Sequence, residues 1–273
     1  PQTLLNFPQY LFLDTAADRL YVANQGDGSV LVFDAISSKS GNAPPSRHIT
    51  GVNTQLATPT SVAVDTTRDI LYVADGIDVF VFSSASTADG DVPFLHQIEV
   101  GFQIPAMVVD GANNRLFLAD AGANAINVYD NASTLDSSTN SLPPSRSITS
   151  SDLHQPSGLA IDPLGRLIVG NSSPASITVY ANAASASGTP PSIITLTGSS
   201  TTLSAPSQIA VSNSSTLVEV YVANTNGGNV PVFSNLGATA GNVSPTRNIT
   251  GPSTTLTVAG RPTARGIALD PTR

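Results

Sequence analysis

A chain of 273 residues that is 40% hydrophobic and 11% charged is long enough to bury a sizeable core and too apolar to stay disordered. A formal charge of −8 with Lys39 as the single lysine argues against nucleic acid and anionic membrane as partners, since both need clustered cations. The absence of cysteine rules out disulfides and thiolate metal sites, and no apolar run approaches the roughly 18 residues that span a bilayer.

In chain order, the opening PQTLLNF resembles the segment that precedes each later repeat, which predicts a last strand over 2–5. From Pro8, PQYLFLDTAADRLYVAN begins a unit of four predicted strands, 10–13, 20–23, 30–33 and 47–50. Each is a short run rich in Val, Ile, Leu and aromatics, bounded by Gly, Pro, Asn or Asp. The unit returns from Pro59 as PTSVAVDTTRDILYVAD, with strands predicted at 62–64, 70–74, 79–82 and 95–100. From Pro105 the strands are 107–109, 116–119, 126–129 and 146–149; from Pro156 they are 159–161, 167–169, 177–180 and 193–196. The copy from Pro206 gives 209–211, 220–223, 230–233 and 247–250, and PTARGIALDPTR from Pro262 starts a sixth with a strand over 266–269. The period of about 50 residues indicates one repeat array over 1–273 rather than two unrelated domains.

The third strands (VLVF, VFVF, INVY, ITVY, VPVF) are apolar at successive positions, as in a sheet covered on both faces. No capped helix-period stretch occurs, which excludes a parallel α/β sheet. Pro231 inside a third strand predicts a bulge or a shifted boundary. The Ser/Gly/Asn/Pro-rich segments between third and fourth strands, such as AISSKSGNAPPS, are expected to be solvated and mobile.

The pattern P-x-G-[IL]-A-[IV]-D, then R-[IL]-[YF]-V-A-[ND], then [IV]-x-V-[FY]-[DA] resembles the NHL repeat family. The LYVAN and LYVAD pieces are similar to the YVTN-type repeats of bacterial and archaeal surface proteins. The likeness covers nearly the whole chain. It implies an all-β β-propeller of four-stranded antiparallel blades. Six blades are expected, the sixth joining N- and C-terminal segments and lacking its middle strands; five is the alternative. The family includes binding modules, lactonases, lyases and cell-surface parts, so the likeness fixes no activity.

Two sets of polar residues mark strand ends. Asp14, Asp65, Asp110, Asp162 and Asp270 close the inner strands. They are expected to cap the following turn and to meet Arg19, Arg68, Arg115 and Arg166, with Ser212 as the exception. Asn24, Asp75, Asp120, Asn171 and Asn224 close the second strands, where the fold would place the mouth of a channel, and are the candidate ligand-binding ring. In gluconolactonase-like propellers, which this fold resembles, a Glu with Asn and Asp residues holds a divalent metal. Here only Asp75 and Asp120 of the ring are acidic and no inner-strand Glu is present, so no cofactor is expected, calcium being the alternative, and no metal ligand is assigned. His48, His96 and His154 are too dispersed for a His metal site or a triad, and no G-x-S-x-G elbow occurs. Arg47, Arg146 and Arg247 recur as P-x-R-x-I and are expected to pair with neighbouring carboxylates or guard an edge. Asn131, Asn171, Asn213, Asn242 and Asn248 open Asn-x-Ser/Thr sequons.

These readings predict an exported, non-enzymatic propeller that binds a protein partner or itself at a cell surface, in the periplasm or in an extracellular assembly. A divalent-metal lactonase is the alternative. The start at Pro1 and the end inside a repeat read as a processed or truncated piece of a longer precursor.

Overall fold

The computed structural model describes residues 2–137, 141–234, 236, 240–254, 256–258, 261–262 and 264–270. Short β-branched and aromatic runs separated by tight polar turns give five four-stranded antiparallel sheets, or blades. The first blade is β1 (Pro8–Asp14), β2 (Arg19–Asn24), β3 (Ser29–Asp34) and β4 (Arg47–Ile49), hydrogen-bonded in chain order. The second is β5 (Pro59–Asp65), β6 (Ile70–Asp75), β7 (Asp78–Ser83) and β8 (His96–Glu99). The third is β9 (Met107–Asp110), β10 (Arg115–Asp120), β11 (Ala125–Asp130) and β12 (Arg146–Ile148). The fourth is β13 (Pro156–Ile161), β14 (Leu167–Ser172), β15 (Ala175–Tyr180) and β16 (Ile194–Thr197). The fifth is β17 (Pro206–Val211), β18 (Glu219–Asn224), β19 (Val230–Ser234) and β20 (Arg247–Ile249).

The turn from first to second strand needs one left-handed residue, and Asp18, Asp69, Asn114 and Gly165 take it in the first four blades. The first three also hold the next loop. Asp18 accepts from Ser37 N and Oγ, Asp69 from Ser86 N and Oγ, and Asn114 exchanges two bonds with Ser133.

The described residues fall into two compact units, one from Pro1–Leu118 and Val128–Ser145, the other from Ala119–Asn127 and Arg146–Pro271. In the first unit, Tyr72, Val79, Val81 and Ile98 pack with Met107, Leu116, Leu118 and Tyr129. In the second, Ile168, Ile177, Val179 and Leu196 pack with Ile209, Val220, Val222 and Phe233. Each such side chain contributes about 1.5–3 kcal/mol on burial, which is why third strands are apolar at successive positions. One polar atom sits badly in this packing. The Tyr72 hydroxyl is buried with no hydrogen-bond partner among the described residues, and burial pushes its pKa well up. Tyr72→Phe is therefore expected to leave stability unchanged or raise it by about 1 kcal/mol in a urea titration.

The preferred six-blade reading is not what the fold shows. The segment 2–5 is not a strand, because it corresponds to the linker that follows an outer strand, not to the strand itself. Gln2 N and Thr3 N donate to Asn42 Oδ1 at 2.7 and 3.3 Å, as Asn53 N donates to Asp91 Oδ1 at 2.7 Å after β4. Leu4 has φ 55°, matching φ 55° at Gln55. At the other end, 266–269 forms no strand either. It runs beside β17, with Ser207 Oγ and Gln208 N donating to Arg265 O and Ile267 N to Gln208 Oε1. In the sequence between β20 and 266–269, β21 (Thr257–Val258) and β22 (Arg261–Pro262) make a two-residue pairing. Among the described residues the sixth repeat shows no second or third strand.

Pro231 produces no bulge. The register of β19 on β18 is the same before and after it, from Tyr221↔Val232 to Asn224↔Asn229. The ladder opposite Val222 and Ala223 is simply interrupted, since proline has no N–H to give. The loops between third and fourth strands also differ from expectation. Most of their residues are exposed, as expected, but they bury Ala85, Ala132 and Ala183, and in the second to fifth blades they pair with the preceding outer strand; 138–140, 235 and 237–239 lie outside the described residues.

Candidate functional site

At the end of the second strand in four blades, an Asx side chain ties down the backbone that enters the first strand of its own blade. Asn24 Oδ1 accepts Asn6 N at 2.7 Å, and Asp75 accepts Ala57 N at 2.6 Å and Thr58 N at 3.0 Å. Asn171 Oδ1 accepts His154 N at 2.9 Å, and Asn224 Oδ1 accepts Ser204 N at 2.6 Å. In each case a donor stands two residues before the opening proline, joined in the second blade by Thr58 one residue before it. The amides are equally engaged. Asn24 Nδ2 reaches Leu4 O, Asp27 and Ser29; Asn171 Nδ2 reaches Ser176 and Thr178; Asn224 Nδ2 reaches Thr202 O and Asn229. Asp120 differs: it accepts Ala123 N at 2.9 Å within its own turn, while Asn124 Oδ1 holds Gln155 N at the entry to the fourth blade rather than to its own. All five side chains are buried. Asn24 and Asp75 belong to the first unit, and Asp120, Asn171 and Asn224 to the second.

Asp14, Asp65, Asp110 and Asp162 cap turns as expected, while the turn after Asp270 lies outside the described residues. Asp14 accepts Ala16 N and Ala17 N, Asp65 accepts Thr67 N and Arg68 N, Asp110 accepts Asn113 N, and Asp162 accepts Leu164 N and Arg166 N. Ser212, which breaks the pattern, supplies the same service with a hydroxyl that accepts Glu219 N at 2.9 Å. Arg68 and Arg166 meet Asp65 and Asp162 at 2.8 and 2.6 Å. Arg19 does not meet Asp14. It pairs with Asp34 at 2.5 Å, directly opposite it across the β2–β3 ladder, and Arg115 likewise lies closer to Asp130 than to Asp110.

Asp34 also receives Arg47 from the outer strand at 3.1 Å, while Arg47 donates onward to Ala85 O and Ala88 O of the second blade. Burial pushes the Asp34 carboxyl up, but hydrogen bonds from Arg19 and Arg47 outweigh it and hold the group below its ordinary 3.8. A carboxylate with a lowered folded pKa stabilises the fold above its unfolded value and loses that contribution as pH falls through the folded one. The destabilisation caused by Asp34→Asn in urea is therefore expected to be full at neutral pH and to shrink below about pH 3.8. Arg146 repeats the reach of Arg47 onto the next blade, donating to Ala184 O and Ala186 O. Arg247 instead turns back onto Glu219 and Tyr221 of its own blade.

The histidines stay apart in function: His48 and His96 lie 3.8 Å from Asp27 and Asp136, and His154 serves through its backbone. Among the described residues no three His, Asp or Glu side chains gather as metal ligands would. No helix among them is long and apolar enough to cross a membrane.

No family model and no curated protein matches the sequence. Solved structures do. The chain aligns over 97% of its length with 86% of a chain in the crystal structure of a nidogen/laminin complex, at 16% identity and TM-score 0.65. It aligns over 85% with a chain of hydrazine synthase from Kuenenia stuttgartiensis, at 18% identity and TM-score 0.59, and spans 58% of that chain. It aligns over 89% with 70% of the Cps50 (Swd1) beta-propeller domain from Myceliophthora thermophila, at 13% identity and TM-score 0.56. The fold is that of a β-propeller. Identities this low carry the fold and nothing of the chemistry.

Within the propeller, sequence reasoning missed the residues that join one blade to the next. Gly90, Ser137, Gly188 and Gly241 each form a parallel bridge to the preceding outer strand, at Ile49, Ile98, Ile148 and Leu196. The side chain after the glycine then sits on a second glycine across the junction. A Cβ at Gly51 would lie 2.4 Å from Asp91 Cγ, and one at Gly198 would lie 2.6 Å from Asn242 Cγ. The signal is present in the sequence as GDVP and GNVSP, recurring before the outer strand.

Proposed function

We propose that this propeller is an exported, non-enzymatic module that binds a protein partner or itself at a cell surface or in an extracellular assembly. The observation that carries the reading is the engagement of Asn24, Asp75, Asn171 and Asn224 by the chain's own backbone. Buried groups already engaged by backbone N–H donors are poorly placed to ligate a metal or to activate water, because ligation would strip those donors of partners. One similar structure was solved as a nidogen/laminin complex, an assembly between proteins, which is consistent with a binding role. Elemental analysis and lactone hydrolysis test the reading together. Purified protein is expected to hold substoichiometric divalent metal and to hydrolyse lactones no faster than a blank. Stoichiometric calcium or zinc lost on Asp120→Asn, with hydrolysis lost in parallel, would establish the lactonase alternative instead.

A further inference from the structure

We propose that Asn226 is a self-modification site: Gly227 N displaces its side-chain amide, and the isoaspartate that follows releases the entry to the fifth blade. The proposal goes beyond the binding-module reading and does not rest on it. Asn226-Gly227 is the single Asn-Gly step in the sequence. It lies in the turn from β18 to β19, and both residues are exposed. That exposure belongs to the turn itself, since Gly26, Ile77, Gly122 and Ser173 are exposed at the tips of the matching turns.

The clip at Asn224 explains why glycine stands there. Asn224 Nδ2 donates to Asn229 Oδ1 at 2.6 Å, and a Cβ at Gly227 would run into both of those side chains. Glycine is the residue that fits, and it leaves the nitrogen behind Asn226 with no side chain to shield it. The other blades avoid this pairing. Gly26 follows Gln25, whose longer side chain would have to close a six-membered ring, a slow reaction. Gly76 follows Asp75, whose carboxylate is buried and held by Ala57 N and Thr58 N.

The chemistry needs only water. Gly227 N gives its proton to solvent base and attacks Asn226 Cγ. The Cγ–Nδ2 bond breaks, ammonia departs, and a five-membered succinimide remains. Water then opens the ring. Breaking the bond from Cγ to the Gly227 nitrogen yields aspartate. Breaking the bond from the main-chain carbonyl carbon of residue 226 to that nitrogen yields isoaspartate, whose main chain runs through Cβ and Cγ. Gly227 N donates to Asn224 O at 3.1 Å, so this bond must open before attack, as an exposed turn readily does.

The extra methylene of isoaspartate falls where the turn is anchored. Gly228 N also donates to Asn224 O, at 3.0 Å, while Thr225 N and Asn226 N donate to Ala205 O and Ser204 O, each at 3.1 Å. Ser204 N donates in return to Asn224 Oδ1 at 2.6 Å. Lengthening the chain between 226 and 227 pulls these bonds out of register and frees the segment that leads into β17.

The test holds purified protein in warm, mildly alkaline buffer and follows it by mass. Cleavage after Glu99 and Glu219 places Asn213, an exposed asparagine followed by serine, and Asn226 in separate fragments. Conversion placed at Asn226 by sequencing is expected to outpace conversion at Asn213 by about tenfold or more. In the isoaspartate fraction, amide exchange at Ser204 should quicken by about tenfold or more. Asn226→Gln should stop the conversion and keep Ser204 N protected through the same incubation. Freshly prepared Asn226→Asp, which carries the charge on an ordinary main chain, should keep it protected too. Conversion at Asn226 no faster than at Asn213, an unchanged Ser204 amide in the isoaspartate fraction, or equal loosening in Asn226→Asp overturns the proposal.

Discussion

Gly158→Ser is expected to destabilise the protein by about 3 kcal/mol or more, lowering Tm by about 6–12 °C, even though serine occupies the matching position in the second blade. Ser61 has room, and its Oγ accepts Met107 N at 3.1 Å. At Gly158 the neighbouring inner strand comes much closer, and a Cβ would lie 1.8 Å from Ser207 O and 3.0 Å from Ser207 C. Those are backbone atoms, so no side-chain rotation relieves the clash. β13 must move away from β17, which weakens the packing of Ala160 with Ile209 in the second unit's core. Gly165→Ala makes a useful comparison. Its φ of 73° also favours glycine, but nothing lies within 4 Å, so the cost is only the left-handed strain of about 1–2 kcal/mol. If thermal melts show Gly158→Ser to be the milder of the two, the close approach of β13 and β17 is wrong.

The second large effect is expected at Asn171, one of the five side chains that the sequence offered as a ligand-binding ring. Asn171→Ala leaves His154 N without its acceptor and the hydroxyls of Ser176 and Thr178 without their shared donor, all at a buried side chain. The loss of one buried network member is expected to cost about 2–4 kcal/mol by urea denaturation. Asn171→Asp keeps the acceptor, removes the donor and places a charge there, so it should rescue little. Asp120→Asn should cost far less, because the bond that Asp120 Oδ1 accepts from Ala123 N survives in the amide. If Asn171→Ala is as mild as Asp120→Asn, these Asx side chains do not act as clips.

The blades were legible because their signal is local. Every strand needs only a short β-branched or aromatic run and a turn residue on each side, and all twenty predicted blade strands are present within a few residues. What escaped was everything set by register between distant segments. Which carboxylate Arg19 meets depends on the β2–β3 pairing that places Asp34 opposite it, not on the nearness of Asp14 in sequence. The Asx residues at the second-strand ends were visible as a recurring set, but their partners, 17 to 20 residues away, were not. The sixth-blade reading failed for a related reason. PQTLLNF looks like the approach to a repeat, and only the bond from Gln2 N to Asn42 identifies it as the linker after an outer strand. The Ser/Gly/Asn-rich loops hid the blade junctions because their composition reads as solvated while their glycine makes a backbone bridge.

Those bridges join each blade to the next, and amide hydrogen exchange at the loop residues reads them directly. The N–H groups of Gly90, Ser137, Gly188 and Gly241 donate to His48, Gln97, Ser147 and Thr195, so they are expected to exchange as slowly as amides of the outer-strand ladders. Exchange at the rate of open loop amides, with the strand ladders themselves still protected, would contradict it.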